Sequence, residues 1–127
     1  MEVLLDTHAV IWWFEGAPGL SKRAASTIAS KDNLVLISAA VGWELAIKVN
    51  LGKFNTPSLV QGLSRFLERE GFLELPISMD QAVRAGLLPL HHRDPFDRLL
   101  VAQAQALGVP IISADRALDA YDVRRIW

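Results

Sequence analysis

Short apolar runs alternate along the chain with stretches of helical spacing. Val3-Leu4-Leu5, Leu34 to Ile37, Phe72 to Leu75, Val109 to Ile112 and Val123 to Trp127 read as five strands. Between them, Ser21 is placed to cap a helix over Lys22 to Ser30, and Ser38 opens one that runs to Val49 and closes near Asn50-Leu51-Gly52. Pro57 starts another, with Leu59, Leu63, Phe66 and Leu67 on one face and Gly71 at its end. Met79 to Leu87 is a short helix stopped before Pro89. The clearest helix has Asp94 as its N-cap and Pro95 at its first position, and Gly108 and Pro110 terminate it. Ser113-Ala114-Asp115 leads into a last short helix over Arg116 to Ala120. The strands are continuous apolar runs rather than alternating ones, the signature of a parallel sheet covered on both faces. The expected architecture is therefore α/β: a three-layer α/β/α domain spanning 1–127, around a central, mostly parallel five-stranded sheet.

Composition removes several classes of function. The 127 residues are 51% hydrophobic and 21% charged, with a formal net charge of −1, which is globular composition without a disordered tail. There is no cysteine, so thiol nucleophiles, thiolate zinc sites and disulfides are out, and a reducing cytosol fits. The longest charge-free stretch, Leu99 to Ala114, contains two Gln, a Gly and a Pro and does not read as a membrane span. Met1-Glu2 lacks the basic start of a signal peptide. A strong basic excess, the usual mark of binding nucleic acid by phosphate contacts alone, is missing. Four acids gathered in one pocket would nevertheless leave the remainder of the chain net basic.

The acids fall where ligands bind in such folds, beyond the carboxyl ends of parallel strands at the point where strand order reverses. Asp6 follows the first strand, and Asp115 follows the fourth. Asp97 lies in the first turn of the helix feeding the fourth strand, and Glu44 lies two turns into the helix after the second. If the first and fourth strands are neighbours, these four carboxylates converge. Clustered carboxylates repel, and a hard divalent cation relieves the repulsion. A site of acids without His or Cys suits Mg²⁺ or Mn²⁺ better than zinc, the logic of metal-dependent nucleases.

Each acid also has an ordinary structural use. Asp6, Asp94 and Asp115 can cap the segments that follow them, and Asp97 can close a capping box with Asp94. Glu44 can pair with Lys48 one turn on, a solvated bridge worth a few tenths of a kcal/mol. His91 and His92 read as surface loop residues. Trp12, Trp13, Trp43 and Trp127 read as core or interface residues in preference to base-stacking ones.

Taken together, Leu4-Leu5-Asp6-Thr7-His8 with Trp12-Trp13, Ser38 through Trp43-Glu44-Leu45-Ala46-Ile47-Lys48, His92-Arg93-Asp94-Pro95-Phe96-Asp97-Arg98-Leu99-Leu100-Val101-Ala102-Gln103-Ala104, and Ser113-Ala114-Asp115 resemble the four motifs of the PIN-domain family. The similarity is to its VapC-like toxin ribonucleases and spans the chain in order. The third motif is the most specific. The resemblance implies a single PIN domain over 1–127 acting as a Mg²⁺- or Mn²⁺-dependent endoribonuclease, the toxin of a type II toxin–antitoxin system. Carried over, Asp6, Glu44 and Asp97 match the three core acids and Asp115 the more variable fourth. Asp6 and Asp97 would hold the metal most directly, with Glu44 and Asp115 completing its shell. Asp94 is an accessory acid, and Ser113 stands where many members have Thr. His8 falls at a position that differs among members and takes no role. Arg93, Arg98 and Arg116 flank the pocket as candidates for RNA phosphates. The implied partners are RNA, a cognate antitoxin protein and a second copy in a cytoplasmic homodimer, with DNA reached only through the antitoxin.

Other classes fit less well. A phosphoacceptor domain needs an Asp after strand three, where Leu75-Pro76 stands. An Asp-x-Asp phosphatase needs an acid at His8, and no glycine-rich phosphate cradle follows any strand. The remaining alternative is a catalytically idle module of the same fold that recognises a partner helix.

Overall fold

In the computed structural model, which describes residues 1–16 and 18–127, five parallel strands are interleaved with helices. The order along the chain is β1 (Glu2–Leu5), α1 (Thr7–Phe14), α2 (Lys22–Ala29), β2 (Leu34–Ser38), α3 (Ala39–Asn50), α4 (Pro57–Gln61), α5 (Leu63–Glu70), β3 (Leu73–Leu75), α6 (Met79–Leu87), α7 (Pro95–Leu107), β4 (Ile111–Ile112), a 3₁₀ turn (Arg116–Ala120) and β5 (Arg125–Ile126). Helices flank the sheet, as the continuous apolar strands require. Val3, Leu4 and Leu5 are wholly buried, although successive side chains point to opposite faces.

The strands lie in the order β3-β2-β1-β4-β5, and every pair is parallel. The chain builds outward from β1 to β3 and then crosses back to β4. Strand order therefore reverses between β1 and β4, where Leu4 pairs with Ile111 and Leu5 with Ile112. The neighbour relation that the acids need is thus present.

One element was not anticipated from the sequence, and one differs from the expectation. The segment after Asp6 is a helix, α1, although Thr7-His8-Ala9-Val10-Ile11-Trp12-Trp13-Phe14 is rich in β-branched and aromatic residues of modest helix propensity. Its cap and the burial of Thr7, Ala9, Val10 and Ile11 override that propensity. The helix expected from Pro57 to Gly71 is two helices, α4 and α5, broken at Gly62, whose backbone (φ −109°, ψ 22°) leaves the helical region. Gly71 ends α5 in the left-handed conformation (φ 72°) that glycine adopts at least cost. Among the described residues, no helix is long and apolar enough to cross a membrane.

Candidate metal centre

Each acid is fixed by the element that carries it. The Asp6 backbone N–H donates to the Ile112 carbonyl at 3.1 Å, tying the end of β1 to β4. Asp6 Oδ1 accepts the Ala9 N–H at 2.9 Å and caps α1. Ser38 caps α3 through the Ala40 N–H, and α3 carries Glu44 inward to 4% exposure. There the Thr7 hydroxyl donates to Glu44 Oε1, and the Lys48 ammonium donates to Glu44 Oε2. Asp94 caps α7, its Oδ1 taking the N–H groups of Phe96 at 2.8 Å and Asp97 at 3.1 Å. Ser113 is fully buried at the end of β4, and its hydroxyl accepts the Asp115 N–H at 3.0 Å. Asp115 Oδ1 then caps the 3₁₀ turn through the Ala117 N–H at 3.0 Å.

These caps turn Asp6, Glu44, Asp94, Asp97 and Asp115 into one cavity of about 410 Å³, at the switch point between β1 and β4. Thr7, His8, Trp12 and Lys48 complete its wall. A more open groove of about 750 Å³ runs along α6, but Asp80 is the one acid in its lining, so chemistry rather than size selects the site.

Five carboxylates face the single ammonium of Lys48, and the ionisation of the acids reflects it. Burial first, then the charges of Asp94, Asp6 and Glu44, push Asp97 up to about 7. Burial also raises Asp6, against the Ser113 hydroxyl and the Ala9 N–H, which lower it. Burial alone would lower Lys48, but its bond to Glu44 and the fields of Glu44, Asp94 and Asp97 hold it above its ordinary value. The pocket is short of positive charge. Its oxygen-rich donor set fits a hard divalent cation. Donor atoms of His92, Asp97 and Asp115 lie within 4.8 Å of one another, close enough to share an ion.

The structure therefore brings together Asp6, Glu44, Asp97 and Asp115, with Asp94 beside them and Ser113 beneath Asp6. It does not bring in the arginines. Arg98 is a correction: it is buried to 7% exposure and donates to the carbonyls of Ala85, Leu88, Pro89 and His92, so its guanidinium is not available to RNA phosphates. Arg93 and Arg116 are exposed and do not line the cavity.

Three residues were missed or misjudged. His92 is not a surface residue: its Nε2 lies 2.9 Å from Asp115 Oδ2 and 3.2 Å from Asp97 Oδ2. Lys48 is not a solvated bridge, since its Glu44 partner is buried in the pocket. Thr7 anchors Glu44 from α1, a helix that its sequence does not advertise. The i,i+4 spacing of Glu44 and Lys48 was the visible signal for their pairing, but it says nothing about depth. Trp13 and Trp127 are half-buried against Phe72 and Trp12 respectively, whereas Trp43 is 60% exposed against Phe96.

A family model described as PIN domain matches residues 3–124. No curated protein matches the chain by sequence. Among solved structures, it is similar to a chain of VapBC2 from Rickettsia felis bound to a DNA fragment from its promoter (18% identity, TM-score 0.72, covering 98% of this chain and 97% of that one). It is also similar to chains in FitAcB from Neisseria gonorrhoeae (21%, 0.67, 97% and 95%) and in a toxin–antitoxin complex from Klebsiella pneumoniae (20%, 0.67, 94% and 92%). At these identities the likeness is one of fold.

Proposed function

This chain belongs to the PIN domain family, and from that premise we propose that it is a Mg²⁺- or Mn²⁺-dependent endoribonuclease, the toxin of a type II toxin–antitoxin pair. The observation that carries the proposal is the convergence of five carboxylates from four segments on one cavity, with Asp97 pushed up to about 7. Repulsion of that kind persists in a fold when a cation is meant to relieve it. That the similar folds occur in toxin–antitoxin complexes supports the biological setting.

Asp6 and Asp97 would hold the ion, with Asp115 beside them. Glu44 stands behind, its two oxygens held by Thr7 and Lys48. When bound, the ion would supply charge neutralisation for a phosphodiester under attack and acidify water at neutral pH. The chain's own residues bind and orient: the backbone caps set the carboxylate planes, and Lys48 places an ammonium on the cavity wall, where a phosphate oxygen would otherwise face five carboxylates. The same excess of negative charge suits an antitoxin segment that lays a basic side chain among the acids. A cytoplasmic homodimer, with DNA contacted through the antitoxin, completes the proposal.

The test is incubation of the purified chain with a pool of transfer and ribosomal RNA in Mn²⁺, with and without EDTA. Discrete chelator-sensitive cleavage that Asp97→Asn abolishes is the expected result. Intact RNA together with no thermal stabilisation by millimolar Mn²⁺ would favour the idle binding module.

A further inference from the structure

We propose that His92 is a positioning residue, which donates Nε2–H to Asp115, stands against Asp97 and does not itself ligate the ion. The proposal rests on the metal reading of the cavity above. Its basis is which atom of the ring carries the proton. The Asp94 backbone N–H lies 3.1 Å from His92 Nδ1, and an amide can only donate, so Nδ1 presents its lone pair. The ring proton is therefore on Nε2. That atom faces two acceptors, Asp115 Oδ2 at 2.9 Å and Asp97 Oδ2 at 3.2 Å. For Nε2 to ligate a cation, the proton would have to move to Nδ1, which would set N–H against N–H. Leaving the Asp94 amide without its acceptor costs about 1–3 kcal/mol. Proximity to the acids makes His92 look like a ligand, but the Asp94 amide makes it a donor.

The loop that carries His92 is built to keep this geometry. The His92 backbone N–H donates to Tyr121 Oη at 2.9 Å, and Tyr121 Oη donates to the Pro89 carbonyl at 2.6 Å. Arg98 reaches the carbonyls of Pro89 at 3.0 Å and His92 at 3.2 Å with one nitrogen, and those of Ala85 and Leu88 with the other. The buried guanidinium thus laces the segment between α6 and α7 into a fixed path. Partners of this kind beside metal-holding side chains typically change metal affinity by about 10–100-fold when removed.

Two measurements on the full chain decide it. Nitrogen-15 NMR of the His92 ring should show a proton on Nε2 and a lone pair on Nδ1 both in EDTA and in saturating Mg²⁺; loss of the Nε2 proton on loading would overturn the proposal. Calorimetry with Mn²⁺ then compares two substitutions. In His92→Gln the amide nitrogen can stand near the Nε2 position, whereas in His92→Asn it reaches no further than Nδ1. Binding should weaken about tenfold or more in His92→Asn and largely recover in His92→Gln. Equal losses in both, or wild-type binding in His92→Asn, would also overturn it. If His92→Asn does not fold, the wild-type spectra decide alone. Neither readout uses RNA, so a chain that binds Mn²⁺ without cutting RNA refutes the nuclease and leaves this proposal standing. A chain that binds no Mn²⁺ refutes both.

Discussion

Replacing Asp97 with Asn should stabilise the metal-free protein while removing its response to metal. The Asp97 carboxyl moves from an ordinary 3.8 to about 7, through burial first and the Asp94 charge second. Its side chain is 24% exposed, so solvent screens this only in part. At about 1.4 kcal/mol per pH unit, the full gap corresponds to about 4 kcal/mol. Asp94, Asp6 and Glu44 share the repulsion and relax with it, so a net gain of about 2 kcal/mol is expected at pH 7.5. The folded state holds this proton more tightly than the unfolded one. Stability from this group is therefore complete below about pH 4 and is lost as pH rises toward 7. The advantage of Asp97→Asn should accordingly fall to less than half by pH 5. In a chain of this size, about 2 kcal/mol moves the melting temperature by roughly 6–10 °C. The assay is thermal melting of both proteins in EDTA at pH 5 and 7.5, repeated in saturating Mn²⁺. With Mn²⁺ at about 100 times its Kd, the wild type should gain about 2.7 kcal/mol and the variant little, which reverses their order. Asp97→Asn melting lower than wild type in EDTA at both pH values would refute the reasoning and leave Asp97 as a favourable charge at the α7 N-terminus.

Three further outcomes follow from the same geometry. Lys48→Met strips the counter-charge from buried Glu44 and should cost about 2 kcal/mol in a urea melt in EDTA, and an unchanged midpoint would return the pair to the solvated class. Arg98→Lys cannot reach the separate carbonyls of Ala85, Leu88 and Pro89, so it should lose about 3 kcal/mol of stability while the folded fraction keeps its RNA affinity; weaker RNA binding at unchanged stability would restore Arg98 to the substrate side. Mn²⁺ binding should tighten about tenfold from pH 6 to pH 8, because Asp97 must give up a proton whose pKa is about 7, and a pH-independent Kd by calorimetry would contradict this.

Much of the fold was legible because its signals are local. Apolar runs marked the strands, continuous in β1, β2 and β4 but interrupted by Glu74 in β3 and by Arg125 in β5, and Ser21, Ser38, Asp94 and Gly108 marked helix ends through chemistry confined to a few residues. What was not legible depends on distant partners. The pairing of β1 with β4, on which convergence of the acids rests, joins segments separated by more than 100 residues, and no periodicity encodes it. Helix α1 was hidden because Val10, Ile11, Trp12 and Trp13 favour extended backbone until the core claims them. Arg98 stands between Asp97 and Leu99 and reads as a surface cation. Only the carbonyls of the folded segment between α6 and α7 show why it is inside. His92 enters the site for the same reason, since Tyr121 and Arg98 decide where its loop runs.

The capping role of these acids and their proposed chemical role are not rivals, because a carboxylate has two oxygens. Asp6 and Asp115 each give Oδ1 to a backbone N–H, and in Asp115 the other oxygen accepts from His92 Nε2 and stays close to Asp97. A cap fixes the carboxylate plane before any ligand arrives, so little side-chain freedom remains to be lost on binding. It also helps the fold tolerate the repulsion among the acids. Three caps at about 1 kcal/mol each offset the net penalty of about 2 kcal/mol expected for Asp97. Asp94 shows how the two effects are balanced. Both of its backbone bonds fall on one oxygen, which secures the start of α7, while its charge is the largest electrostatic contribution raising Asp97. The residue that starts the helix is therefore also the one that keeps Asp97 short of a cation. Asp94→Ala should cost the cap and lower Asp97 toward its ordinary value in the same step, whereas Asp94→Asn should lower Asp97 and keep the cap, a separation that thermal melts in EDTA at pH 5 and 7.5 would read.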